Sequence, residues 1–221
     1  MKRNVFADKA SFVLRRMLRE PGRRWVLRDF VTDPGISLGL AQAVLEAVES
    51  RGYGERTKKG ARSFTILTNS DVLISDWTKA YSFERNAMTT FYFSGSDVLR
   101  RIKTALKDLP YALTLHAGAN FLTSWVQTDQ VYLYLNPGVW DEALIKVRRL
   151  LGLRQLVSGG NFHIIRPFYK NSVFYNARDI QGIRVVSNLQ LYLDLITFRP
   201  RGFEHAERLR EFVKERGELL A

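Results

Sequence analysis

Ser37, Leu38, Gly39, Gln42 and Ala43 recur on what would be the outward side of a helix, and Lys58, Lys59 and Arg62 follow within one short turn. The first group can touch the edges of bases. The Gln42 amide donates and accepts at once, so it can pair bidentately with adenine, a contact that contributes about 1–3 kcal/mol of discrimination. Gly39 and Ala43 are small enough to let a backbone approach closely, while Leu38 can at most cover a thymine methyl. The three cations suit phosphates, which set affinity and register without reading sequence. The same residues also fit a blander account, as a solvated helix face and a basic turn.

Positioning them requires a particular order of elements. Asp8 to Arg19 has the spacing of an amphipathic helix, with Phe12, Leu14 and Leu18 on one side and Arg15, Arg16 and Arg19 on the other. Glu20-Pro21-Gly22 ends it. Trp25 to Val31 predicts a short second helix, Asp33-Pro34-Gly35 a turn, and Ser37 the N-cap of a third helix whose Ala41, Val44, Leu45 and Val48 face inward. The opposite face is Leu38, Gly39, Gln42, Ala43 and Glu46. Tyr53 to Arg56 and Arg62 to Leu67 then read as a hairpin with Phe64 and Ile66 inward. Helix, turn, helix and basic hairpin in that order predict a winged helix-turn-helix, and hence double-stranded DNA as a partner.

Charge agrees with that reading. The chain of 221 residues has a formal net charge of +12, and 14 Lys and Arg against 7 Asp and Glu lie before residue 71. A basic excess alone would equally suit an acidic protein or a membrane surface, so the pattern decides. There are no cysteines, which removes disulfides, thiolate chemistry and Cys-based zinc sites. MKRNVFADK lacks the apolar run of a signal segment, and nothing approaches the roughly 18 apolar residues of a membrane span, so a cytoplasmic protein without membrane contact is expected.

The length fits two domains, residues 1–70 and 71–221. The second begins with an aromatic-rich helix, Asp71 to Tyr81, expected to join the domains. Beyond it strands are expected at Thr89 to Ser94, Tyr111 to Leu115, Val131 to Leu135, Phe162 to Ile165, Ser172 to Tyr175 and Ile183 to Val186. Helices are expected from Ser96, as cap, to Lys107, then at Trp140 to Leu151, Leu189 to Phe198 and Phe203 to Arg216. The fold class is α+β: a winged helix-turn-helix followed by a mixed α/β domain.

An enzyme would have to reside in that second domain, and each candidate is incomplete. Phe93-Ser94-Gly95-Ser96 has the Gly-Ser opening of a nucleotidyltransferase, but Asp97 and Asp108 lack the paired acid that holds two metals. Gly159-Gly160 lacks the Lys of a phosphate-binding loop. His116, His163 and His205 show no metal-ligand spacing and are expected to be core or surface histidines. Asp179, Asp194 and Glu204 could serve a nuclease only without the acid-X-Lys unit that chemistry uses. No catalytic residue, metal or cofactor is therefore assigned.

The most distinctive string runs Val185-Val186-Ser187-Asn188-Leu189-Gln190-Leu191-Tyr192-Leu193-Asp194-Leu195, then Arg199-Pro200-Arg201-Gly202-Phe203-Glu204-His205-Ala206-Glu207-Arg208-Leu209. Its Tyr-X-Asp-Leu helix, Arg-containing turn and acid-X-X-acid helix resemble the end of AbiEi-type antitoxins, transcriptional regulators of type IV toxin-antitoxin systems. The N-terminal pattern matches that arrangement too. Leu115-His116-Ala117-Gly118-Ala119 departs from it, having no Gly-Glu in register. The resemblance implies repression of the chain's own operon and a second domain that acts against a nucleotidyltransferase-like toxin. From the residues alone, Asp194 and Arg201 are expected to form a buried ion pair or cap between the last two helices, with partner contact as the other reading. A protein-binding module without operator recognition and a metal-dependent nuclease stay open as alternatives, and so does a homodimer.

Overall fold

The computed structural model describes residues 4–32 and 35–220, so Asp33 and Pro34 of the expected turn lie outside the described residues. The chain divides into two compact units, Met1–Tyr81 and Ser82–Leu220.

In the first unit, helix α1 (Asp8–Arg19) has Asp8 in its first turn and Arg16 and Arg19 in its last, charges matched to the helix dipole. Ala10, Val13, Leu14, Met17 and Leu18 are buried. Arg15 is buried as well, contrary to its expected place on the outer side: its guanidinium lies 5.2 Å over the ring of Trp77. The stem of an arginine packs like a hydrophobe, and its head is attracted to an aromatic face. Trp77 belongs to helix α3 (Ser70–Ala80), expected as a connector but packed in this unit through Leu73 and Trp77.

The second expected helix reduces to a single 3-10 turn, Leu27–Asp29. Trp25 exchanges both of its backbone hydrogen bonds with Thr65 at 2.8 Å, so its peptide groups are committed to the hairpin and cannot enter a helix. Helix α2 (Leu38–Ser50) is capped by Ser37, whose hydroxyl accepts from Leu40 N at 3.2 Å, and it buries Ala41, Val44, Leu45 and Val48. Strands β1 (Gly54–Thr57) and β2 (Phe64–Leu67) pair antiparallel, with Gly54 opposite Leu67 and Thr57 opposite Phe64. Thr65 and Leu67 face inward, not Phe64 and Ile66, because the bridge to Trp25 fixes the strand at Thr65 and one residue of shift exchanges the faces.

The second unit is built on a mixed six-stranded sheet of order β3-β6-β5-β4-β8-β7, where β3 is Ala87–Phe91, β4 Tyr111–Thr114, β5 Val131–Leu135, β6 Phe162–Arg166, β7 Arg178–Ile180 and β8 Ile183–Val185. β5 runs parallel to β6 and β4 parallel to β8; the other pairings are antiparallel. β4 and β5 are buried at every position, so both faces of the sheet centre are covered. Helices α4 (Val98–Ala105) and α6 (Trp140–Leu151) pack on one another, and α5 (Leu115–Thr123), α7 (Asn188–Ile196) and α8 (Gly202–Glu215) form a second group. This is the expected α+β class.

Three differences have local causes. Ser172 to Tyr175 is a series of turns, with Tyr175 N bonded to Ser172 O at 3.0 Å, and the strand lies later at β7. β7 and β8 are joined by Gln181 and Gly182, both at positive φ, as a tight two-residue hairpin requires. Leu115–Thr123 is helical and starts directly off β4, and Gly118 allows the close fit: a Cβ there would lie 3.1 Å from the Leu113 carbonyl and from Leu191 Cδ2. Finally, Asp97, not Ser96, caps α4.

Trp77 covers both Phe6, with ring centroids 5.5 Å apart, and Arg15. Trp77→Ala should therefore destabilise the first unit by about 3–5 kcal/mol, read as an earlier transition in urea unfolding followed by far-ultraviolet circular dichroism.

Candidate nucleic-acid interface

The capped helix α2 and the β1–β2 hairpin present the residues singled out from the sequence. Ser37, Leu38, Gly39 and Gln42 are exposed and Ala43 is half-buried, with the apolar stripe of α2 turned away from them. Gln42 is not free: its Nε2 donates to Glu46 Oε1 at 2.9 Å, one helical turn on. The same carboxylate oxygen lies 3.6 Å from Arg56 Nη1 on β1. Lys58 Nζ meets Glu49 Oε2 at 3.0 Å. Acids on α2 thus reach two cations of the hairpin. Lys59 and Arg62 are exposed at its tip, which is folded by Lys59 N donating to Ser63 Oγ at 3.1 Å and the Ser63 hydroxyl donating to Gly60 O at 2.7 Å.

Sequence reasoning passes over Arg56 and Arg24. Spacing places Arg56 in a strand without a role, yet its side chain is only 14% exposed and holds Glu46. Arg24 lies with its guanidinium 4.9 Å over Phe64, the first residue of β2 after the hairpin turn. Neither has a local signal, since Gly-Glu-Arg-Thr of β1 and the residues around Arg24 show no pattern that points to their partners.

In the second unit the expected Asp194–Arg201 pair does not form. Asp194 is fully buried and its carboxylate takes hydrogen bonds from the hydroxyls of Thr114 and Tyr134 (3.2 Å) and from Gln190 Nε2 (2.8 Å). Arg201 has a side chain 56% exposed and pairs with Glu204 at 3.3 Å. Neutral donors from the central strands and from α7 surround the buried acid, so no buried cation is required. Two of the other acids considered for catalysis have local tasks: Asp179 accepts from Gly182 N at 2.7 Å, and Asp97 pairs with Arg100 at 2.8 Å.

Two histidines far apart in sequence come together. His116 Nδ1 and His205 Nδ1 are 2.9 Å apart in nearly parallel rings, both buried. His116 Nε2 faces Pro200 O at 3.3 Å. His205 Nε2 lies 2.7 Å from Thr123 Oγ1, whose hydroxyl also reaches Ala119 O at 3.2 Å. Burial, then the neighbouring His116 and Arg201, pushes His205 down to about 4, and burial lowers His116 too. His163 stands apart, stacked on Tyr132 at 4.2 Å and bonded to Thr90 and Gln130. Among the described residues no group of three or more His, Asp and Glu is arranged to hold a metal ion.

A cleft of about 590 Å³ contains the Gly-Ser segment, with Phe93, Ser96, Phe121 and Asp129 in its wall and no Lys or Arg among the described residues that line it. Much of its polar lining is already committed. Asn161 bonds both backbone groups of Phe93, Asn120 bonds both of Val126, and Gln130 bonds Asp129 and His163.

Two outcomes test these assignments. Asp194→Ala orphans buried donors at about 1–3 kcal/mol each, whereas Arg201→Ala should stay within about 0.5 kcal/mol; comparable losses in urea unfolding would restore the ion pair. The native state holds fewer protons on His205 than the unfolded chain, whose histidines titrate near pH 6.5. Its contribution is therefore complete above about pH 6.5 and is lost as pH falls towards about 4, a decline on the order of 3 kcal/mol in unfolding free energy.

No curated protein and no solved structure matches the chain. One family does, over residues 66–214, which takes in the second unit and little of the first beyond β2 and α3. Its description is transcriptional regulator, AbiEi antitoxin, type IV toxin-antitoxin system. Since that match spans well over half of the sequence, the chain belongs to the AbiEi family of antitoxins and transcriptional regulators, which are regulators rather than enzymes.

Proposed function

We propose that residues 1–70 are a winged helix-turn-helix that binds double-stranded DNA, and that the chain is an autorepressing antitoxin of a type IV toxin-antitoxin system. Helix α2 is the recognition helix and the β1–β2 hairpin the wing. The observation that supports this best is the face of exposed Leu38, Gly39 and Gln42 with half-buried Ala43, beside a hairpin tip with Lys58, Lys59 and Arg62. Small residues let a helix backbone enter the major groove, an amide reads a base edge, and tip cations meet phosphate or the minor groove. Ser37 contributes its cap and sits at the helix end that would point into the groove. Residues 71–221 take the antitoxin role against a nucleotidyltransferase-like toxin, in keeping with the family of residues 66–214.

The test is a fluorescence anisotropy titration of the full chain against the duplex upstream of its own gene and a shuffled duplex, each at two salt concentrations. Preference for its own upstream DNA, weakening steeply with salt, is the expected result. Equal binding to both would leave a nonspecific basic module, and binding to neither would move the weight to a protein partner, which co-purification with the neighbouring gene product would detect. Lys59→Ala with Arg62→Ala should weaken both duplexes alike and flatten the salt dependence by about 0.9 in log–log slope for each phosphate no longer neutralised. Weakening confined to one duplex would contradict a phosphate role for the tip.

A further inference from the structure

The sequence of α2, Leu38–Ser50, contains no Lys or Arg, and its polar side carries Glu46 and Glu49. That is an unfavourable composition for a helix that only seeks phosphate, and the geometry around Glu46 gives it a different task. The last torsion of a glutamine is broad and nearly two-fold, so a solitary exposed Gln presents its donor and acceptor in either order. Here one N–H of Gln42 is held by Glu46 Oε1 at 2.9 Å. Glu46 is in turn steadied by Arg56, 3.6 Å away and only 14% exposed on β1. With one N–H fixed, the carbonyl oxygen and the second N–H of Gln42 remain, and these are the acceptor and donor that an adenine edge requires. The carboxylate beside them also disfavours an edge that presents only acceptors, as guanine does at N7 and O6.

We propose that Glu46 is a positioning residue that sets the base preference of this helix by orienting Gln42. The inference rests on the DNA-binding reading above and names the residue that gives that site its selectivity. Glu49 supplies an internal control: its carboxylate meets Lys58 at 3.0 Å, so its charge acts at the same face while a different residue is its partner.

The experiment compares wild type, Glu46→Ala, Glu46→Gln, Glu49→Gln, Gln42→Ala and the double variant Gln42→Ala/Glu46→Ala in the full chain. The probes are the chain's own upstream duplex and the shuffled duplex, and the readout is the ratio of their dissociation constants. Glu46→Ala should tighten binding to the shuffled duplex while reducing the ratio by about tenfold. Glu46→Gln keeps an acceptor for Gln42 and should retain the ratio to within about threefold, and Glu49→Gln should tighten both duplexes alike. In the Gln42→Ala background, Glu46→Ala should change the ratio no further, since the two act as one unit. A Glu46→Ala ratio within about twofold of wild type, or independent effects in the double variant, overturns the proposal. A wild-type chain with no preference between the duplexes overturns the reading of a sequence-specific site, and the proposal with it.

Discussion

A carboxylate removed from water must be surrounded by donors, and Asp194 draws them from three places: Thr114 on β4, Tyr134 on β5 and Gln190 on its own helix α7. Satisfying all of them at once leaves little freedom in how α7 lies over the two central strands. The rest of the helical layer follows from that placement. Tyr192, on the same helix, donates to Glu207 at 2.9 Å and so ties α8 to α7; burial and then that glutamate push its phenol up to about 12, which keeps it a donor. α8 then brings His205 onto His116 of α5. Helices α5, α7 and α8 are thus joined by a series of directional contacts.

The first unit obeys a different constraint. Its aromatic residues, Phe6, Tyr53 and Trp77, pack the start of the chain, the approach to the hairpin and α3 together, and the Tyr53 hydroxyl reaches Asp76 at 2.9 Å. Lys79 first and then Tyr53 hold the Asp76 carboxyl below its ordinary value. The surface layer above that core is electrostatic. Two acids of α2 meet two cations of the hairpin, Glu46 with Arg56 and Glu49 with Lys58, while Lys59 and Arg62 are exposed at its tip.

The features legible in the sequence are those determined within one element. The stripe of α2 and its Ser37 cap, the limits of α1, β5 and α6, and the basic tip of the hairpin all follow from spacing and local capping. The features that are not legible depend on distant partners. Alternation alone inverts the face of β2, because its register is fixed by Trp25 in a separate segment, and no pattern within Phe64–Leu67 shows that bridge. Arg15 reads as surface until Trp77 covers it. α5 opens on Leu115 at positive φ with no side-chain cap, so it has none of the usual starting signals. The histidine pair spans 89 positions, and Gln-Gly is a weaker hairpin signal than the Asn-Gly or Asp-Gly that would have revealed β7.

The groups with shifted protonation in the second unit are held by partners within it. His116 and His205 are turned towards one another, His163 towards Tyr132, Thr90 and Gln130, and Tyr192 towards Glu207. Their shifts arise from burial in the service of packing. In the cleft of the same unit, the side-chain amides of Asn161, Asn120 and Gln130 are bonded within the protein. What these groups contribute is the packing and hydrogen bonding of the second unit itself.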